Sequence, residues 1–193
     1  MMENSLSTSF YFLISTLFDL AIFVLLLRLI LVGVRADFYN PVSQVVNRIT
    51  QFLIKPLKKI IPNFKFIETS TLLCIFILEI LKFGIIGYLF FPHTSIPGLA
   101  IIALADMLKT TLNIFFYAIL IRAILSWVQA SYSPIANVLN QITSPIMRPL
   151  QRIIPPIGGL DLSPLAALIL LQFLTLLLVS PISSLGQSTA FGL

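Results

Sequence analysis

Seven polar side chains interrupt long apolar runs of this sequence: Asp19, Glu79, Lys82, Asp106, Lys109, Asn113 and Gln172. A charged side chain at the centre of a bilayer costs about 2.5–3.5 kcal/mol even on the mildest insertion scale, so each charge needs a partner, an ion or a proton path. Glu79 and Lys82 stand at i and i+3, as do Asp106 and Lys109, and each pair can meet on one helical face. Asp106, Lys109, Asn113 and Tyr117 continue along one stripe. Asp19 and Arg28 fall on opposite sides of a helix, so Asp19 needs a partner from another span. Such a set offers a path for a cation. The plainer alternative is interhelical hydrogen bonding, at about 0.6 kcal/mol per bond on average.

Other chemistry is not readable. His93 sits in a Pro-flanked turn as a solvated residue, and Gly158-Gly159 after Pro155-Pro156 reads as a turn rather than a phosphate loop. Cys74, the one cysteine, lies in an apolar run as a small buried hydrophobe, which leaves no intrachain disulfide and no cysteine metal cluster. Nucleophile, base and orienting acid cannot be assembled. We expect no enzyme, no metal and no cofactor.

The elements that position these groups follow from hydropathy. With 58% hydrophobic and 10% charged residues the chain is far from a water-soluble domain, in which about 25% are charged. Residues 10–34 form an apolar run of 25 residues, long enough for a helix of about 37 Å across a hydrocarbon core of about 30 Å. No Lys or Arg precedes it and no small-residue cleavage site follows, so it reads as an uncleaved first span. Further spans are expected at 67–91, 110–128 and 164–182, the third with an outer extension from Pro97 onward. A polar tail at 185–193, beginning to loosen at Ser180, is expected to fray.

A duplication organises the rest. Residues 39–62 (YNPVSQVVNRITQFLIKPLKKIIP) and 132–155 (YSPIANVLNQITSPIMRPLQRIIP) share 11 of 24 positions without a gap. Tyr39/Tyr132, Pro41/Pro134, Pro56/Pro149 and Pro62/Pro155 are among them. Asn40 or Ser133 fits a helix N-cap ahead of a first-turn proline. Apolar residues then recur at helical spacing, opposed by polar ones, while Pro56 and Pro149 break or bend the helix. Each copy so predicts a bent amphipathic helix pair, at 41–62 and 134–155, lying on a leaflet. Arg48, Lys55, Lys58, Lys59, Arg148 and Arg152 would face anionic phospholipid headgroups, at about 1 kcal/mol each. Packing of these helices on their own spans, as structural feet, is the simpler alternative. Arg28 and Arg122, near the span ends, would snorkel to headgroups or dock on the loops. The basic residues alternate with an apolar stripe rather than with exposed aromatics, so nucleic acid is not an expected partner.

The loop between spans one and two holds six Lys/Arg and that between spans three and four holds Arg148 and Arg152. By the positive-inside rule both loops are cytoplasmic and both termini periplasmic. The two copies, 6–92 and 96–184, then enter in the same direction, as parallel tandem repeats. Aligning them sets Asp19 on Asn113, Glu79 on Gln172, Lys82 on Thr175 and Arg28 on Arg122. From this we expect a quasi-symmetric polar cluster in the outer half of the bundle.

Arg28 with Asp37-Phe38-Tyr39-Asn40-Pro41, and Arg122, Ser126-Trp127, Tyr132-Ser133-Pro134, Arg148-Pro149, Ile153-Ile154-Pro155, Gly158-Gly159 and Asp161-Leu162-Ser163-Pro164, carry a resemblance over almost the whole chain. It resembles the YggT family of small bacterial integral membrane proteins, which has YlmG-type and plastid relatives. The resemblance implies an all-α protein of four spans in the bacterial inner membrane, serving tolerance of osmotic and high-salt stress through cation homeostasis. The alternative, which the YlmG-type and plastid relatives suggest, is a scaffold or assembly factor in division, nucleoid organisation or cytochrome maturation, with a protein partner. Four spans are few for a monomeric channel, so transport would need a homo-oligomer.

Overall fold

The computed structural model describes residues 2–59, 68–91, 94–127, 133–155 and 161–192, and every regular element among them is helical. In order these are α1 (Met2–Gly33), α2 (Pro41–Lys58), α3 (Thr69–Phe90), α4 (Ile96–Trp127), α5 (Pro134–Ile153), α6 (Ser163–Leu174), a π-helical turn (Thr175–Val179) and α7 (Ser180–Phe191). Four stretches are long and apolar enough to cross a membrane: Ser7–Gly33, Thr69–Phe90, Ile96–Ser126 and Ser163–Phe191.

Ile22, Leu25, Leu26, Ile75, Ile114 and Ile142 form one buried cluster that joins α1, α3, α4 and α5. Ile119, Met147, Ala167 and Leu171 form a second among α4, α5 and α6. Lipid tails are as apolar as these side chains, so shape complementarity and polar contacts, rather than water exclusion, must hold the spans together.

α1 ends at a left-handed residue. Arg35 has φ 54°, its N–H donates to the Val32 carbonyl and the Ala36 N–H to Leu31, which closes the helix as a glycine usually does. Asn40 and Ser133 then cap α2 and α5, accepting from the N–H groups of Val42 (2.9 Å) and Ala136 (3.1 Å), with proline in the first turn of each helix. The two feet meet: Asn40 Nδ2 donates to the Pro134 carbonyl (2.8 Å) and the Asp37 N–H to Gln141 Oε1 (3.0 Å). Pro56 and Pro149 do not break their helices: α2 and α5 each run through them, to Lys58 and Ile153. The remainder of the first foot, including Pro62, lies outside the described residues, as do Tyr132, His93 and Gly158-Gly159.

The C-terminal segment departs most from expectation. Residues from Ser180, read as a fraying tail, are helical through Phe191, and α4 is one unbroken helix from Ile96. The two extensions hold each other. A Cβ on Gly98 would fall 2.2 Å from the Ala190 backbone nitrogen, and one on Gly186 would fall 2.9 Å from that of Ile102, so glycine lets the backbones of α4 and α7 pack antiparallel at close range. Ser95 Oγ donates to the Thr189 carbonyl (2.6 Å), and Phe91 stacks on Phe191 with ring centroids 4.2 Å apart. Pro181 explains the π turn, because its ring would strike the carbonyl four residues back in a regular helix, and a wider turn relieves the clash.

Candidate functional site

Three helices converge on Lys82. Its Nζ lies 2.9 Å from Asp19 Oδ1 on α1, 2.7 Å from Glu79 Oε2 one turn back on α3, and 2.5 Å from Asp106 Oδ2 on α4. Glu79 is fully buried and Lys82 is 2% exposed. The Glu79 contact is an ion pair without the alignment of a hydrogen bond, and Oε1 has no partner among the described residues. Lys82 also sits over the Phe83 ring, 4.5 Å from its centroid, which adds a cation–π contact. One ammonium against three carboxylates leaves a formal −2 when all are ionised, and charges this close interact strongly where water is scarce.

Two cavities flank the cluster. One of about 260 Å³ is lined by Tyr11, Ser15, Asp19, Lys82, Asp106, Lys109, Ser183 and Gln187, and the other, of about 380 Å³, by Asp19, Phe23, Asp106, Lys109, Asn113 and Tyr117. Asp19, Asp106 and Lys109 are walls of both. The ion pairs and the cavities together give a negatively biased polar site reached from two sides.

The structure brings together Asp19, Glu79, Lys82 and Asp106, and sets Lys109 and Asn113 on the cavity walls. It corrects two expectations. Among the described residues no ion pair joins Asp106 to Lys109, because Lys82 takes Asp106 and Lys109 is exposed. Gln172 is exposed and outside the cluster, since α6 turns Ala167 and Leu171 inward, and Thr175 Oγ1 bonds back to the Leu171 carbonyl. The cluster therefore belongs to the first copy plus α4 and is not two-fold symmetric.

A second polar centre has Arg28 docked on the segment between spans one and two, the alternative to snorkelling, with a carboxylate partner that was missed from sequence. Arg28, 5% exposed, does not snorkel: Nε and Nη2 grip the two Glu68 oxygens at 2.7 and 3.0 Å, while Nη1 reaches Asn47 Oδ1 (2.6 Å) and Thr50 Oγ1 (2.9 Å) on α2. Lys58 and Thr71 complete the carboxylate, each at 2.8 Å. Burial would raise the Glu68 carboxyl, but bonds from Arg28, Lys58 and Thr71 outweigh it and lower the pKa to about 2. Repetition carried the signal: 93 positions on from Glu68 is Asp161, each acid two residues before a buried serine, Ser70 or Ser163. Arg48, Lys55, Lys59, Arg148 and Arg152 are exposed on the feet, as are Tyr39, Pro41, Pro56, Pro134, Pro149 and Pro155.

The CCB3/YggT family model matches the chain twice, over residues 7–89 and 101–182. A Vibrio alginolyticus protein of the proC 3′ region is 46% identical over 178 residues, covering 91% of this chain and 94% of its own length. YggT of Escherichia coli K12 is 37% identical over 182 residues, covering 94% and 95%. YlmG homolog protein 2, chloroplastic, of Arabidopsis thaliana is a more distant relative, 34% identical over 84 residues, 44% of this chain and 32% of its own. No solved structure matches the chain. Four apolar helices, a duplicated unit and a family match to each copy lead to one assignment: the chain is a helical membrane protein that belongs to the CCB3/YggT family.

Proposed function

We propose that this protein serves osmotic and high-salt tolerance in the bacterial inner membrane by handling monovalent cations or protons at the Lys82 cluster. The observation that carries the reading is a fully buried Glu79 with a free oxygen, beside a lysine shared among three carboxylates, with two cavities walled by Asp19 and Asp106 on either side. A structural clasp needs one acid for one base. Here the surplus of negative charge close to the midpoints of α1 and α3 calls for a proton or a cation, and intramembrane ionisable groups of this kind mark ion paths and proton relays.

In this reading the feet α2 and α5 lie on the cytoplasmic leaflet. Val45, Ile49 and Phe52 are exposed apolar residues of α2 that would enter lipid, with Arg48 and Lys55 toward headgroups. The test is growth of a host lacking the gene, in high salt and in sorbitol of equal osmolarity, complemented with wild type or Glu79→Ala at matched protein levels. Wild type is expected to restore salt growth and Glu79→Ala to fail. Equal rescue by both removes the ion site and turns the reading toward a scaffold, in which the joined feet present a surface to a protein partner.

A further inference from the structure

The two copies treat their matched arginines differently. In the first copy Arg28 makes five hydrogen bonds, and Glu68 closes the site with Lys58. In the second, Arg122 keeps the bond to the matched threonine, Nη1 to Thr143 Oγ1 at 2.7 Å, and among the described residues makes no other. Its matched acid spends its hydrogen bonds elsewhere. Asp161 Oδ1 accepts from the Ser163 N–H (2.9 Å) and Oδ2 from Gln151 (2.8 Å), Gln151 standing where the first copy has Lys58. Aspartate is one methylene shorter than glutamate, and with both oxygens engaged by Ser163 and Gln151 it acts on Arg122 through its charge but makes no hydrogen bond to it.

What remains in front of Arg122 is a cavity of about 140 Å³ lined by Arg122, Leu125, Ser126, Ala136 and Asn140. Arg28, Val32 and Asn47, the matches of Arg122, Ser126 and Asn140, likewise line a cavity in the first copy, but there Glu68 lines it too. A guanidinium has five N–H donors and no acceptor, and this half-buried one uses a single donor among the described residues, with Asp161 the anion felt only through its charge. Ser126 replaces a valine, which adds a hydroxyl donor, and the Asn140 amide adds two more. Planar forked donors match phosphate as they match carboxylate, and the added hydroxyl and amide donors suit the further oxygen lone pairs of a phosphate.

We propose that the Arg122 pocket binds a phosphate group, with Arg122 forking onto two unesterified oxygens to which Ser126 and Asn140 also donate. The first copy fills the same position with its own Glu68. The site lies between α4 and the foot α5, whose exposed Arg148 and Arg152 concentrate anions nearby. The group is either a phospholipid headgroup or free phosphate, and both share this chemistry.

Native mass spectrometry of the full chain in neutral detergent tests the proposal, with phosphatidylglycerol in one arm and inorganic phosphate in the other. One tightly held phosphatidylglycerol per chain is expected, weakened about tenfold or more in Arg122→Gln, as loss of hydrogen bonds to a charged group predicts. Asn140→Leu, which fills the pocket and leaves the arginine, is expected to weaken it as well, and it decides the matter if Arg122→Gln does not fold. Retention of inorganic phosphate with the same dependence on both positions also supports the site and assigns it to the soluble ion. Binding of either probe to Asn140→Leu and to folded Arg122→Gln as tightly as to wild type, or no retained probe, overturns it.

Discussion

Replacing Glu68 with glutamine keeps the shape of the side chain and removes the negative charge between Arg28 and Lys58. The magnitude can be worked from the carboxyl's depression, from 4.5 to about 2, because each unit is 1.36 kcal/mol of differential interaction, so the charge contributes on the order of 3 kcal/mol. An independent route agrees: losing one partner of a buried ion pair costs about 3–5 kcal/mol, since the survivor, here Arg28 at 5% exposure, stays buried and uncompensated. The assay is unfolding in mixed micelles by titrated SDS, read by circular dichroism. The sign with pH follows from the folded-state pKa being depressed. The contribution is full above the unfolded value of 4.5 and is lost as pH falls toward about 2, so wild type should weaken across that window more steeply than Glu68→Gln, in which Asp161 is still held below its ordinary value. A variant within about 0.5 kcal/mol of wild type at neutral pH, the range of ordinary surface substitutions, would refute the reasoning.

Three further outcomes are expected in the same unfolding assay. Lys82→Met, which strands three carboxylates, should cost about 3–5 kcal/mol, whereas Glu79→Gln, which removes the most deeply buried charge and keeps its shape, should cost far less. Gly98→Ala should cost about 1–3 kcal/mol or more by forcing α4 from the Ala190 backbone, and cleavage by protease near Phe191 should rise with it. Asn40→Ala removes both the α2 cap and the bond to Pro134, at about 0.5–2 kcal/mol, and should loosen the two feet as read by hydrogen exchange at Val42.

Span number and the tandem copies were legible because lipid imposes a long apolar run on each crossing and the duplicated feet carry prolines at fixed spacing. Helix ends were less so. Ser180–Phe191 is rich in serine and threonine and reads locally as a tail, but its order comes from Gly98 and Gly186 admitting a close neighbour, which is tertiary information. The need of Asp19 for a partner on another span was readable, and Lys82 answers it. That Lys82 would take Asp106 from Lys109 was not, since spacing along one helix says nothing about which neighbour comes closer. Glu68 escaped notice because it lies at a span boundary, where an acid reads as a solvated flank. Matched against Asp161 it would have stood out.

The claim on which the functional reading depends is that ions or protons pass or bind at Lys82. Purified full-length protein in liposomes, with a potassium or sodium gradient and a pH-sensitive dye inside, measures it directly. Wild type is predicted to move cation or proton faster than protein-free liposomes, and Glu79→Ala to lose that excess while still inserting. Rates that are equal with and without the protein, or unchanged by Glu79→Ala, would contradict it.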